Sequence, residues 1–447
     1  MMDVRRIGRP WRWLMLLVVL AMLAAACAED AGDDADTPDE TEPAADADGD
    51  EPIRIGGIGP LSEPGAVSAG IDMQWAMELA VADINADGGV LGRPLELRFE
   101  DTQNMPEAAV SVAKKLIEED EVAAVVGEYH SGAALAAIPE YTEAGMPVLF
   151  AEPWADAVTG GDPDDPDNLP EQPATIFRIA PTVSYWSDFA VDWLVNGISA
   201  EKVVQVYEST DYGLGANDQL GEQLTAEGVE YVGVEVELNL PDYTAVLTRI
   251  GQEHADADVI STGGVTGDSH FTLTQNAFDA GLFDDGAVCY ANIDASQTAS
   301  WWSAVPDGAG CAFVYIGPAP AAYNDTTTRV AEAYEAEFDD SPGAWVFESY
   351  DGILLVADAI ERAGTTESAA VVEALESTSL VGAQGEYSVP YNSSNPDTPE
   401  GEPWMWHQFP DPAISLVQYT ERDQTLEDAA IIWPESAQTH GSAYVTP

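Results

Sequence analysis

Residues 53–99 read IRIGGIGPLSEPGAVSAGIDMQWAMELAVADINADGGVLGRPLELRF, and the order of elements in this stretch decides the fold. Ile53 to Ile58 is a short apolar run with strand character. The spacing of Met73, Met77, Ala80 and Ile84, widened by Trp75 and Leu79, predicts a helix over 70–85. Asp87-Gly88-Gly89 stops it, because glycine accepts the left-handed backbone that ends a helix. Leu95-Glu96-Leu97-Arg98-Phe99 then alternates as a second strand.

Downstream the same rhythm continues. Pro106 to Asp120 reads as a helix, and Val122 to Val126 as a strand that is apolar throughout, as in a sheet covered on both faces. Ser131 to Ala144 is helical and Pro147 to Ala151 is a strand. Alternation of this kind predicts a parallel sheet with helices on both sides. Further strands are expected at Lys202–Tyr207, Val229–Leu238, Val259–Thr262, Ala287–Ala291 and Ala312–Ile316. Helices are expected near Tyr185–Asn196, Asn217–Glu227, Tyr243–His254, His270–Ala280, Thr327–Phe338 and Tyr350–Ala363. The acidic, proline-rich run at 160–173 (GGDPDDPDNLPEQP) reads as an exposed loop.

The N-terminal end is of a different kind. Arg5, Arg6, Arg9 and Arg12 precede an apolar run from Trp13 to Leu23, too short to span a bilayer as a helix. Ala24-Ala25-Ala26-Cys27 follows. Residues 1–26 are therefore expected to be an export signal, by the general or the twin-arginine route. The small residues before Cys27 resemble a bacterial lipobox, in which that cysteine carries lipid; the alternative is a plain signal peptide with Cys27 incidental. Residues 28–52 hold no large apolar side chain and are expected to form a disordered acidic tether, reaching at most about 80–90 Å.

Composition narrows the partners. The 447 residues carry 80 acidic against 15 basic side chains, for a net charge of −65. Such a surface repels nucleic acid phosphates and anionic headgroups. The acidity is either a mark of a saline habitat, where salt screens self-repulsion, or an ordinary acidic surface. The length suggests two lobes rather than one.

Several stretches carry a resemblance: ADINADGGVLGRPLEL at 82–97, EAAVSVAKKLIEEDEVAAVVG at 107–127, EAGMPVLF at 143–150, FRIAPT at 177–182, STDYGLGAND at 209–218, ADADVISTGG at 255–264 and YDGILLVADAIERAG at 350–364. Together they resemble the leucine/isoleucine/valine-binding proteins, a family of type I periplasmic binding proteins, over roughly residues 53–390. The last 57 residues, with Trp404, Trp406 and Trp433, match less clearly, and 160–173 looks like an insertion. The resemblance implies two doubly wound α/β lobes: lobe one from 53–180 and 318–385, lobe two from 181–317 and 386–447. Crossings are implied at Ile179-Ala180-Pro181, Gly317-Pro318 and Gln384-Gly385. It also implies an exported, lipid-anchored, monomeric protein that closes on a small polar solute and delivers it to the permease and ATPase of an ABC importer. Amino acids, short amides and urea all suit the family.

The candidate site residues follow predicted strand ends, where ligands sit in open α/β sheets. After Val126 the chain runs Gly127-Glu128-Tyr129-His130-Ser131-Gly132 into a helix. Its unpaired N–H groups suit an acceptor oxygen, and the family binds ligand through a serine at the place of Ser131; otherwise Ser131 is an N-cap. In the next loop Trp154 stands where the family has threonine, and Glu152 where it has a small residue. Trp154 either walls or plugs the cleft, and Glu152 either meets a ligand N–H group or is solvated. Tyr212, in Asp211-Tyr212-Gly213, matches a tyrosine that closes over the ligand, or else packs in the core. Asp294 lies near the family's acidic partner for a ligand ammonium. Thr262 either lines the cleft or belongs to a turn. The ligand-binding set is thus Tyr129, Ser131, Gly132, Glu152, Trp154, Tyr212, Thr262 and Asp294.

Enzymatic readings find less support. Gly57-Ile58-Gly59 is followed by Ser62 where a dinucleotide fingerprint needs glycine. GxxxxGK[ST], HExxH and GxSxG are absent from the sequence, and His130, His254, His270, His407 and His440 lack metal-ligand spacing. No cofactor is implied. A solute sensor without transport and a surface hydrolase are the alternative readings. Finally, Cys289 and Cys311 sit on predicted strands of lobe two in an exported chain. They form either a disulfide or two buried thiols.

Overall fold

The computed structural model describes residues 51–160, 174–318, 322–399, 402–409 and 413–445. The expected signal, Cys27, nearly all of the tether and most of the 160–173 loop lie outside them. The chain opens with β1 (Ile53–Gly59), α1 (Val67–Ala86), β2 (Leu95–Asp101), α2 (Pro106–Glu118), β3 (Ala124–Gly127), α3 (Ser131–Ala144), β4 (Val148–Phe150), the single turn α4 (Ala157–Gly160) and β5 (Ile176–Arg178). The strands form a five-stranded sheet in the order β2-β1-β3-β4-β5, parallel at every pairing. Every residue of β3 is buried, as its unbroken apolar run requires. Met73, Met77 and Ala80, at helical spacing, bury the inner face of α1.

A second series follows: α5 (Val183–Asp192), β6 (Lys202–Glu208), α6 (Asp211–Ala226), β7 (Glu230–Val236), α7 (Thr244–Glu253), β8 (Val259–Gly264), α8 (Gly267–Asp279), β9 (Val288–Ala291), α9 (Thr298–Ala304) and β10 (Ala312–Ile316). The chain then returns to the first sheet through α10 (Asp325–Phe338), α11 (Ala344–Ala363), α12 (Ser368–Glu376) and the small hairpin β11 (Ser379–Val381) and β12 (Glu386–Ser388). Helix α11 packs along α1. Last come β13 (Ile414–Gln418) and β14 (Ala430–Trp433), which complete a seven-stranded sheet in the order β14-β13-β10-β9-β8-β6-β7. Strands β6 to β10 are parallel; β13 and β14 are antiparallel. The short connection between β13 and β14 supports their antiparallel pairing, whereas parallel neighbours need a crossover helix.

One implied crossing moves. Residues 386–409 do not join the second sheet at Gln384-Gly385. Gln408 bridges Arg178 at the end of β5, Arg178 donates to Gln408 through Nε at 2.6 Å, and Phe409 packs on Phe177 and Tyr387. His407 stacks on Phe177 at 4.1 Å and on Trp406 at 4.3 Å. The chain changes sheet only between Phe409 and Ile414. The buried Arg178 decides this, because its guanidinium needs acceptors that the 402–409 segment and the Ala155 carbonyl provide.

Two helices begin earlier than their periodicity indicated. Helix α6 starts at Asp211, with Thr210 Oγ1 accepting from Gly213 N, so Tyr212 stands in a helix's first turn. Helix α11 starts at Ala344, which places Glu348 inside it.

Candidate functional site

The loop after β3 turns within three residues. Gly127 has φ +122°, and a Cβ there would collide with the Ile58 carbonyl. Glu128 follows at φ +66°, a costly region for a side-chain-bearing residue. Its own carboxylate holds the turn: Oε1 accepts from Tyr129 N at 3.0 Å, His130 N at 3.2 Å and Thr102 Oγ1 at 3.3 Å. Tyr129 and His130 thereby leave the sheet and enter the cleft. His130 occupies the cap position of α3, and Ser131 is its first helical residue. The Ser131 Oγ accepts from Ala155 N at 3.2 Å, tying this loop to the next. Behind them Arg178 donates to the Ala155 carbonyl at 2.6 Å, so the second loop is held from below.

Loops from both sheets converge on one narrow cavity, about 340 Å³ including the open space at its mouth. Tyr129, Ser131, Glu152 and Trp154 line it from the first sheet's loops, and Tyr212 from α6. Trp154 and Tyr212 meet edge to face at 6.2 Å. Gly132 is not part of the lining; it continues α3 beyond Ser131, with Asp211 Oδ2 2.7 Å from where a Cβ on it would lie. Asp294 stands behind the wall: Oδ1 accepts from Tyr129 OH at 3.1 Å and Oδ2 from Gly267 N at 3.0 Å. Thr262 does not reach the cavity. Its hydroxyl bonds that of Thr274 at 2.8 Å, packing β8 on α8, because a residue inside a strand covered by helices points into the sheet's packing layer.

His130, Thr266, Asn292 and Ile293 also line the cavity, and sequence reasoning did not select them. All four follow strand ends (His130 after β3, Thr266 after β8, Asn292 and Ile293 after β9), so the strand-end rule applied to every residue of every such loop would have found them. Asn292 Nδ2 donates to the Gly263 carbonyl at 2.8 Å and to Tyr212 OH at 3.3 Å, fixing the tyrosine's hydroxyl. Glu348 was hidden by the misplaced start of α11.

Direct contacts cross the cleft. Besides Tyr129–Asp294, His130 Nε2 lies 3.7 Å from Glu208 Oε1, and Gln297 Nε2 donates to Asp72 Oδ2 at 2.8 Å. Tyr334 OH and Trp345 Nε1 donate to the same Asp72 carboxyl, at 2.9 and 3.0 Å. At the rim, Asn239 Nδ2 donates to the Pro64 carbonyl at 2.7 Å.

Burial governs the charges here. It pushes the Asp294 carboxyl up to about 7, against the hydrogen bonds from Tyr129 and Gly267 N. It raises Asp72 and Asp351 to about 6 and Glu348 to about 7. Glu152 is pushed well above the carboxylate range, by burial first and then by Glu348 beside it. Burial opposes the charge on His130, yet Glu208 outweighs it and holds the imidazole above its ordinary value. For carboxyls raised in the fold, protonation favours the native state. The destabilisation is complete above pH 7 and relieved as pH falls through 7 and 6 toward the ordinary values near 4. His270, buried and pushed down to about 3, and His407, also pushed down by burial, act in the opposite sense below their ordinary 6.5, but they are two groups against several. The melting temperature is therefore expected to rise as pH is lowered from 8 to 5. A thermal scan across that range checks it, and a monotonic fall would contradict the assignment.

The sequence matches the family model described as "Periplasmic binding protein" over residues 52–413. It is similar to Leu/Ile/Val-binding protein homolog 3 of Brucella melitensis, 28% identical over 328 residues, 72% of this chain and 83% of that protein. It is equally similar to an amino acid binding protein of Pseudomonas aeruginosa, 28% identical over 332 residues, 73% of this chain and 82% of that one. Among solved structures, the branched-chain amino acid transporter substrate binding protein of Streptococcus pneumoniae with isoleucine superposes with a TM-score of 0.69, at 21% identity, over 86% of this chain and 100% of that one. A Rhodopseudomonas palustris solute binding protein with benzoate does so at 0.67 and 16% identity, over 88% and 100%.

Proposed function

The chain belongs to the periplasmic binding protein family, and on that premise we propose that it is an exported, lipid-anchored receptor that captures a small polar solute and delivers it to the permease and ATPase of an ABC importer. The observation that carries this reading is the cavity built from both sheets. Tyr129, Ser131, Glu152 and Trp154 come from one, and Tyr212, Thr266 and Asn292 from the other. Groups on two separate α/β units form a site only when the cleft is closed, so binding and closure are coupled. Closure excludes water, which strengthens each polar contact. It also gives a membrane permease a shape that differs between free and loaded states. The protein acts by binding and release, without turnover. Ser131, Glu152, Trp154 and Tyr212 are read as the ligand contacts, with Asp294 holding Tyr129 in place.

A thermal-shift screen of the purified protein against small polar solutes tests this. A solute at 100 times its Kd adds about 2.7 kcal/mol. A screen with no hit across amino acids, amines, amides and carboxylates would sink the reading.

Attachment rests on Cys27. Among the described residues no helix is long and apolar enough to cross a membrane. A lipid on Cys27, followed by a tether of roughly 80–90 Å maximum reach, keeps the receptor near its permease. Intact-mass analysis of the membrane fraction should show a chain beginning at Cys27 with added acyl mass. An unmodified Cys27, or residues before it still attached, would refute the anchor.

A further inference from the structure

We propose that the solute captured in this cleft is a small organic cation with N–H donors and no carboxylate, an alkylamine or alkylguanidine, held by the carboxyl pair Glu152 and Glu348. The inference rests on the capture reading above and narrows it to a charge class.

The pair is the least satisfied feature of the buried cleft. Glu152 lines the cavity, and Glu348, from α11, is its carboxyl neighbour. Both side chains are buried. Glu152 Oε2 and both oxygens of Glu348 make no well-formed hydrogen bond; Trp154 beside Glu152 and Gln384 beside Glu348 are the neutral donors that face them. Two like charges side by side in a dry site cannot both persist; either a proton is shared between them or a cation neutralises them. Asp351 from the same helix and Asp294 from the second lobe face the pair and add further negative charge. The phenols of Tyr129 and Tyr387 face it as well.

An anionic group has no comparable place. The two N–H groups that lead into α3 already serve a protein carboxylate, and a second carboxylate stands at the start of the helix. Glu128 accepts from Tyr129 N and His130 N, and Asp211 lies against Gly132. Among the described residues no lysine or arginine lines the cavity, and His130 is matched by Glu208. A carboxylate entering here would meet carboxyls on several sides. A cation meets the reverse, together with the aromatic faces of Trp154, Tyr129 and Tyr212, which attract positive charge.

Proton balance supplies a signature. If the free pair holds one proton, a cation that binds the fully ionised pair displaces up to one proton to solvent. Its affinity then rises with pH, toward tenfold per unit where the pair is protonated.

The test is isothermal titration of the full-length protein with n-propylguanidine, n-butylamine, leucine, acetamide and benzoate, in buffers of different ionisation enthalpy at pH 6 and 8. A cation is expected to bind best, with proton release and tighter binding at pH 8. Glu152→Gln should weaken it at least about tenfold. Glu348→Gln should remove the proton release. Gln is isosteric, and cooperative melting of the free variants at or above the wild-type temperature establishes that both fold. Leucine, benzoate or acetamide binding more tightly than either cation would overturn the proposal while leaving the capture reading intact. So would a cation affinity indifferent to Glu152→Gln and to pH. If no solute of any class binds, both fall together.

Discussion

Replacing Trp154 or Tyr212 by alanine is expected to weaken capture of the cognate solute about thirtyfold each, close to 2 kcal/mol. Each ring contributes one wall of the cavity, one from either side of the cleft, and they touch each other at 6.2 Å. Removing either opens the cavity to water and removes the packing that holds the closed form. Tyr212→Phe should cost less. It keeps the wall and loses only the hydroxyl that donates to the Gly263 carbonyl at 3.0 Å and accepts from Asn292. Affinity is read by titration, with melting temperature of the free protein as the control for folding. Scattering adds a second readout: the wild type should become more compact on adding solute, and each alanine variant should do so only at higher concentration. Two alanine variants that bind as tightly as wild type would place the site elsewhere.

Reduction of the Cys289–Cys311 disulfide is expected to cost about 3 kcal/mol of stability, from the chain entropy that a loop of this length returns to the unfolded state. The structure joins the two cysteines, 22 residues apart in sequence, with a Cα–Cα distance of 4.6 Å. Cys289 lies in β9 and Cys311 abuts β10, which pair in parallel through Ala312 and Tyr290. The closed loop carries α9 and the turn that presents Asn292, Ile293 and Asp294 to the cleft. Reduction should therefore lower affinity as well as stability. Denaturant unfolding with and without reductant measures the first effect, and titration of the reduced protein the second. Two reactive thiols at positions 289 and 311 in the unreduced, denatured chain would refute the bridge.

The alternation of strand and helix was legible because the burial pattern repeats over a few residues. The all-apolar Val122–Val126 run could only be a covered strand, and Met73, Met77 and Ala80 could only be a buried helix face. That Tyr129, Ser131, Glu152, Trp154 and Tyr212 line one cavity was legible because a strand's carboxyl end is recognisable locally. Thr262 lies two residues inside the end of β8, where the same rule does not hold. The helix start at Asp211 escaped because a cap, not periodicity, sets it, as Thr210 shows for α6; the start at Ala344 has no side-chain cap.

By itself, then, the sequence determined the two series of alternating elements, the cleft-facing loops of the first sheet and the acidic character of the whole. All of these depend on neighbours within a few residues. Only the tertiary structure decided the rest. It carried residues 402–409 back to the first sheet, because a buried arginine at 178 needed acceptors that no local pattern announces. It set Asp294 against Tyr129 across the cleft. It brought Glu348 beside Glu152, turning two ordinary glutamates among 80 acidic residues into a strained pair. Their proximity is a property of packed helices and loops far apart in the chain, and burial, which gives that proximity its energy, exists only once the fold has excluded water.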